Sequence, residues 1–140
     1  MSKKLLADTG FWIALLDEKD QHYQSAGERA PWIDVATLVM PWPVLYETLR
    51  TRLVRRPERV LRLDEQLKKP NVQFIDDGKY RDEAYSRAID FSVRLRRPIS
   101  LVDMVCRLLI ADPAVRIDYL LTTNPRDFTD VCSERQVELL

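Results

Sequence analysis

Glycine, cysteine and histidine are scarce in this chain of 140 residues, which has three, two and one of them. Three glycines cannot supply a G-x-G-x-x-G fingerprint or a P-loop, so neither phosphate cradle is present. The two cysteines, Cys106 and Cys132, make no C-x-x-C pair and read as free thiols in a reducing cytosol. One histidine, His22, leaves a zinc site short of donors. Serine–histidine catalysis would rest on it alone. Long apolar runs are also missing. The longest, Phe11–Leu16, falls far short of the roughly 20 residues that span a bilayer. No basic stretch leads into a long apolar one, so a secretory signal is not expected. Excess charge is absent too, with 22 Lys+Arg against 22 Asp+Glu. These absences point to a cytoplasmic protein without a membrane segment and without global attraction for nucleic acid.

What is present is an ordinary core. Apolar types make up 46% of the chain, enough for one compact domain, 1–140. Eight prolines punctuate it. Lys4–Ala7, Val35–Met40, Val72–Ile75 and Tyr119–Thr122 read as strands, with Gln136–Leu139 a short last one. Helical spacing occupies the intervals. It begins at Phe11–Leu16, Gln21–Ala30 and the stripe Leu45, Leu49 and Leu53, with Pro43 near the helix start. It continues over Glu58–Leu67, from Tyr80 through Ala84, Ala88 and Phe91 to Leu95, and over Leu101, Val105, Leu108 and Leu109. Strands alternating with helices predict a three-layer α/β/α sandwich around a mainly parallel sheet. In such sheets ligands bind beyond the carboxyl ends of the strands.

Polar residues just past the strands are therefore the candidates, and most are acidic. Asp8 follows the first strand. Glu47 lies in the helix after the second, Asp103 in the first turn of the Ser100–Ala111 helix, and Asn124 and Asp127 beyond Tyr119–Thr122. Each has a plainer reading. Asp8 can cap a helix, Ser100 and Asp103 fit a capping box, Glu47 can pair with Arg50, and Asn124-Pro125 can start a turn. Four independent caps and turns have no reason to share one sheet edge. Carboxylates gathered at one spot repel unless a cation neutralises them. Oxygen donors without His or Cys suit Mg²⁺ or Mn²⁺, which activate water against a phosphodiester.

The residues also carry a resemblance. Leu5-Leu6-Ala7-Asp8-Thr9-Gly10-Phe11-Trp12 resembles the opening of a PIN domain, and His22-Tyr23 with Ala26 fits its VapC-like form. Val44-Leu45-Tyr46-Glu47 resembles the second motif and Ser100-Leu101-Val102-Asp103 the third. Thr122-Thr123-Asn124-Pro125-Arg126-Asp127-Phe128 resembles the fourth. The four occur in order across nearly the whole chain. The resemblance implies a metal-dependent endoribonuclease, the toxin of a VapC-type toxin–antitoxin pair. It implies Mg²⁺ or Mn²⁺ held by Asp8, Glu47 and Asp103, with Asn124 or Asp127 completing the catalytic set. Asn124 stands where many PIN domains have Asp, which leaves open which of the two faces the metal. By the same analogy the products carry 5′-phosphate and 3′-hydroxyl ends, a cognate antitoxin blocks the cleft, and the protein forms a homodimer.

Local charge fits an RNA substrate better than the total does. From Leu45 to Pro70 eight basic side chains stand against four acidic ones, and Arg94, Arg96 and Arg97 precede the Ser100 helix. Arg50 and Arg97, with Thr9 and Ser100 inside their motifs, are the candidate substrate contacts. Arg59 and Arg62 read as a solvated helical face. Trp12, Trp32 and Trp42 read as packing or dimer-interface residues in preference to base-stacking platforms. The alternative function is a non-catalytic RNA- or protein-binding module on the same fold. Phosphoryl transfer on a receiver-like or haloacid-phosphatase scaffold needs a second acid beside the first-strand Asp, where Thr9 and Gly10 stand.

Overall fold

The computed structural model describes residues 2–50 and 52–140. β1 (Lys4–Ala7) is followed by α1 (Thr9–Leu16), α2 (Tyr23–Arg29), α3 (Pro31–Val35) and β2 (Thr37–Pro41). α4 (Trp42–Arg50) starts directly after β2. A short 3-10 turn (Arg52–Arg55) then leads to α5 (Pro57–Leu67) and β3 (Val72–Ile75). α6 (Arg81–Val93) and α7 (Leu101–Ala111) precede β4 (Tyr119–Leu121). A 3-10 turn (Pro125–Asp127), α8 (Thr129–Arg135) and β5 (Glu138–Leu139) follow.

Among the described residues the sheet has five strands in the order β3-β2-β1-β4-β5, and every pairing is parallel. Both faces of such a sheet must be covered, which is why β1 reads as a continuous apolar run and its Leu5, Leu6 and Ala7 are fully buried. The chain steps outward from β1 to β3, then crosses back to β4 on the other side of β1. Right-handed crossovers therefore place α1 to α5 on one face and α6 to α8 on the other, giving the three-layer α/β/α sandwich. The reversal makes the β1/β4 junction the switch point of the sheet. A second buried cluster of Tyr80, Ala84, Ala88, Met104, Val105 and Leu109 seals α6 against α7. No helix among the described residues is long and apolar enough to cross a membrane.

Sequence-level expectations fail in three places. The Leu45–Leu49–Leu53 stripe is not one helix: α4 stops at Arg50, Leu49 is exposed, and the buried Leu53 belongs to the 3-10 turn. Arg59 is not a solvated residue. It is buried, with Nη2 3.0 Å from Asp17 and 2.9 Å from Glu18, while Arg52 pairs with Asp17 and Asp20. Arg52 and Arg59 thus neutralise an acidic turn after α1, and Arg52 holds the Asp17 carboxyl below the usual carboxylate range. The last strand is shorter than Gln136–Leu139 because Gln136 takes a left-handed φ of 57° to end α8. Glycine is the usual residue there, and this chain has few.

Phe128 fills the core under the turn after β4, with no exposed surface. Phe128→Ala should lower the free energy of urea unfolding by about 3–5 kcal/mol. Leu61→Ala on the exposed side of α5 should change it by less than about 0.5 kcal/mol.

Candidate active site

Strand register assembles the first part of the site. Ala7 is level with Leu121, so the next residues, Asp8 and Thr122, emerge side by side from β1 and β4. The Thr122 hydroxyl donates a short hydrogen bond to Asp8 Oδ2. The Phe11 N–H donates to Asp8 Oδ1 at 2.9 Å, so the same carboxylate caps α1. Asp8 is buried. Thr122 Oγ1 also accepts from the Asn124 N–H at 3.0 Å, which folds the following segment back over the strand end.

The other carboxylates arrive on helices. The Ser100 hydroxyl accepts from the Asp103 N–H at 3.0 Å and caps α7. Glu47 lies on α4, half-buried, and α4 contacts both α1 and α7. Asp127 ends the 3-10 turn that Pro125 begins. Asn124 Nδ2 donates to Asp127 Oδ2 at 2.8 Å. The turn puts these two on one side, with Phe128 buried beneath it.

Asp103 and Asp8 both respond to acidic neighbours. Asp103 is raised from 3.8 to about 7, first by burial, then by the charges of Asp8, Glu47 and Asp127. Asp8 is raised to about 6, again mainly by burial, with Glu47 and Asp127 adding to it against the Thr122 and Phe11 hydrogen bonds. The buried Cys106 thiol, one turn along α7 from Asp103, is pushed well above its ordinary value by burial and by Asp103, Asp8 and Glu47. Yet among the described residues no three acidic, His or Cys side chains are drawn together tightly enough to hold a metal ion as placed. Asp8 and Asp103 therefore sit among acidic neighbours without a closed three-ligand group among the described residues. The donor set fits a hard cation. Mg²⁺ takes one or two carboxylates and keeps several waters, so its requirements do not include three closed ligands.

The comparisons follow this geometry. VapC20 of Mycobacterium tuberculosis, a Sarcin-Ricin loop cleaving toxin, superposes with a TM-score of 0.70 at 17% identity, over 90% of this chain and 94% of that one. The chain has the VapC-type PIN-domain fold. VapBC2 from Rickettsia felis, bound to a DNA fragment from their promoter, matches with a TM-score of 0.63 at 16% identity over 98% and 97% of the two chains. DNA-bound VapBC from Salmonella typhimurium gives 0.56 at 17% over 100% and 98%. No family model and no curated protein sequence matches the chain.

On the PIN fold the predicted substrate contacts are scattered. Thr9 is buried beside Asp8, and its hydroxyl has no hydrogen-bond partner among the described residues. Arg50 is exposed at the last position of α4. Arg97 lies 3.4 Å from Asp130, donates to the Arg126 carbonyl at 3.2 Å and covers the Phe91 ring. Trp12 is core, whereas Trp42 is partly exposed and stacks on Phe74 at 5.1 Å.

Thr122 opens the fourth motif, but its bond to Asp8 follows only from the pairing of β1 with β4. One residue with a clear position at the site escapes the sequence reading altogether. Arg107 of α7 reads as an ordinary helical arginine. It donates to the Asp127 carbonyl at 2.7 Å and grips Asp130 with two bonds of 2.7 and 2.9 Å. It therefore ties the turn carrying Asp127 to the helix carrying Asp103.

A pH dependence follows. The folded chain binds protons on Asp8 and Asp103 more tightly than the unfolded chain does. Their contribution to stability is therefore full below about pH 4 and is lost as pH rises to about 7. The acids held low, Asp112 at about 2 and Asp130 below its usual range beside Arg107, act below pH 4 and leave this window clear. In EDTA, urea unfolding should show the protein less stable at pH 8 than at pH 5 on this account. Asp103→Asn should recover about 1–3 kcal/mol of that difference, allowing for solvent screening at a half-buried group.

Proposed function

We propose that this protein is a Mg²⁺- or Mn²⁺-dependent endoribonuclease, the toxin of a VapC-type toxin–antitoxin pair. One observation supports the reading: Asp8, bonded to Thr122 where β1 and β4 end at the switch point of a VapC-type fold, and Asp103 at the start of α7 are both raised by burial and by acidic neighbours that include Glu47 and Asp127. Asp8 and Asp103 would hold the ion, with Glu47 and Asp127 as further ligands or water partners. When bound, the ion supplies charge for the phosphodiester under attack and an acidic bound water. Thr122 and the Phe11 N–H fix the direction of the Asp8 carboxylate. Asn124 orients Asp127. Glu47 is the base available to take the proton of the attacking water. Water adds to phosphorus as the bond to the 3′ oxygen breaks, leaving 5′-phosphate and 3′-hydroxyl ends.

The rival reading is a binding module on the same fold without catalysis. Turnover separates the two. Wild-type protein with Mn²⁺ should cut single-stranded RNA. Asp103→Asn should be folded and at least about 100-fold slower, a loss on the scale of one group acting in the transition state. Asn124→Ala and Asp127→Ala should each slow cleavage less than Asp8→Ala does. An Asp103→Asn protein that still cuts at the wild-type rate would sink the catalytic reading.

The VapBC neighbours support a cognate antitoxin as partner. A homodimer is part of the same proposal, and α6 gives it a surface. Tyr85, Ile89 and Val93 recur every four residues and are 62%, 50% and 72% exposed. Light scattering should give twice the chain mass for the wild type, and Ile89→Asp should shift it to the single-chain mass without loss of helicity.

A further inference from the structure

A cleft of about 240 Å³ opens between α1, α2 and the segment after β4, lined in part by Phe11, His22, Arg29, Thr122, Thr123 and Pro125. It adjoins the carboxylates through one short piece of chain. Thr122 lines the cleft and bonds Asp8. Thr123 lies so close to α1 that a Cβ on Gly10 would meet its hydroxyl at 2.9 Å, so the missing side chain lets this segment rest against the start of α1.

No carboxylate side chain is on these walls, although Asp8 and its acidic neighbours lie beyond Thr122. The larger cleft between α6, α7 and α8 mixes Glu83, Asp112 and Glu134 with Lys79, Arg87 and Arg107. Arg29 is half-buried, and its Nη1 is anchored on the Ser25 carbonyl at 3.1 Å. It is in no ion pair among the described residues, whereas the buried Arg59 and the mostly buried Arg107 both are. An anchored guanidinium with donors to spare, beside two threonine hydroxyls, is a site for a phosphate. The His22 ring and Pro125 give flat surface for a base.

We propose that this cleft binds one nucleotide of the RNA strand next to the cleaved phosphodiester, with its phosphate on Arg29 and its base against His22. The proposal rests on the ribonuclease reading. It names where the strand leaves the carboxylates.

The test measures binding of a mixed-sequence single-stranded oligoribonucleotide to the full chain in the slow Asp103→Asn background with Mn²⁺, and turnover in the parent. Arg29→Ala should weaken binding about tenfold and flatten the slope of log K against log salt by about 0.7, the value for one phosphate contact on a single strand. In turnover it should raise KM and leave kcat nearly unchanged. Arg29→Lys should restore the salt slope, and His22→Ala should weaken binding without changing that slope. A merely structural role for Arg29 would alter melting and leave the salt slope alone. If the parent cuts RNA while Arg29→Ala, folded by circular dichroism, keeps the parent's KM and salt slope, the cleft assignment is overturned and the ribonuclease reading stands. If Arg29→Ala does not fold, the same readings on Arg29→Gln decide. If the parent neither binds nor cuts RNA with Mn²⁺, both fall.

Discussion

The Asp8 carboxylate is held from two sides and repelled from a third. The Phe11 N–H and the Thr122 hydroxyl take its two oxygens, and Glu47 and Asp127 press on its charge. Its hydrogen bonds belong to the fold, since one caps α1 and the other joins the ends of β1 and β4. Its repulsion belongs to the site. A buried carboxylate that serves only as a cap gains nothing from acidic neighbours. The structure tolerates them because the two hydrogen bonds keep the group oriented while burial and repulsion raise its proton affinity. The sheet order concentrates this conflict at one place, because the chain reverses direction there and the helix starts after β1 and β2 and the turn after β4 open on the same edge.

Arginine decides how the remaining elements meet that edge. Arg107 connects α7 to the turn after β4 through a main-chain carbonyl and Asp130. Arg59 and Arg52 hold α5 and the 3-10 turn against the acidic residues that follow α1. A buried guanidinium without a partner would be costly, so these pairs specify which helices pack together more than they add stability. Part of the charge balance is thus settled inside the fold, between neighbouring elements. The field around the carboxylates is set by which cations remain outside such pairs.

The site sits under two competing demands. The carboxylates must stay apart while uncompensated, and they must come within reach of one ion if they are to hold it. Asp103 and Glu47 are on separate helices, and Asp127 is on a turn braced by Asn124 and Arg107. That arrangement brings each acid to the edge on a different element. Glycine scarcity has a similar local cost. Arg96, Arg116 and Gln136 take positive φ values that glycine would adopt more easily. Gly10 is kept where a side chain would strike Thr123.

The strand–helix alternation, the parallel layering and the positions of Asp8, Glu47, Asp103 and the fourth motif were legible in the sequence, because each depends on short-range pattern. Apolar runs mark strands buried on both faces, Ser100 marks a helix start, and a residue just past a strand must emerge at its carboxyl end. The helix predicted through Leu53 failed because an apolar repeat of four cannot reveal that the chain leaves α4 after Arg50. Thr122, Arg107 and Arg59 were illegible for a different reason. Their roles are contacts across 114, 20 and about 40 positions of sequence, and such partners are chosen only when β1 pairs with β4, α7 meets the Asp127 turn and α5 packs on α1. Sequence determined which groups stand at the ends of the elements. Tertiary structure alone decided which of those ends face one another, because register and helix packing are long-range choices that no local pattern encodes.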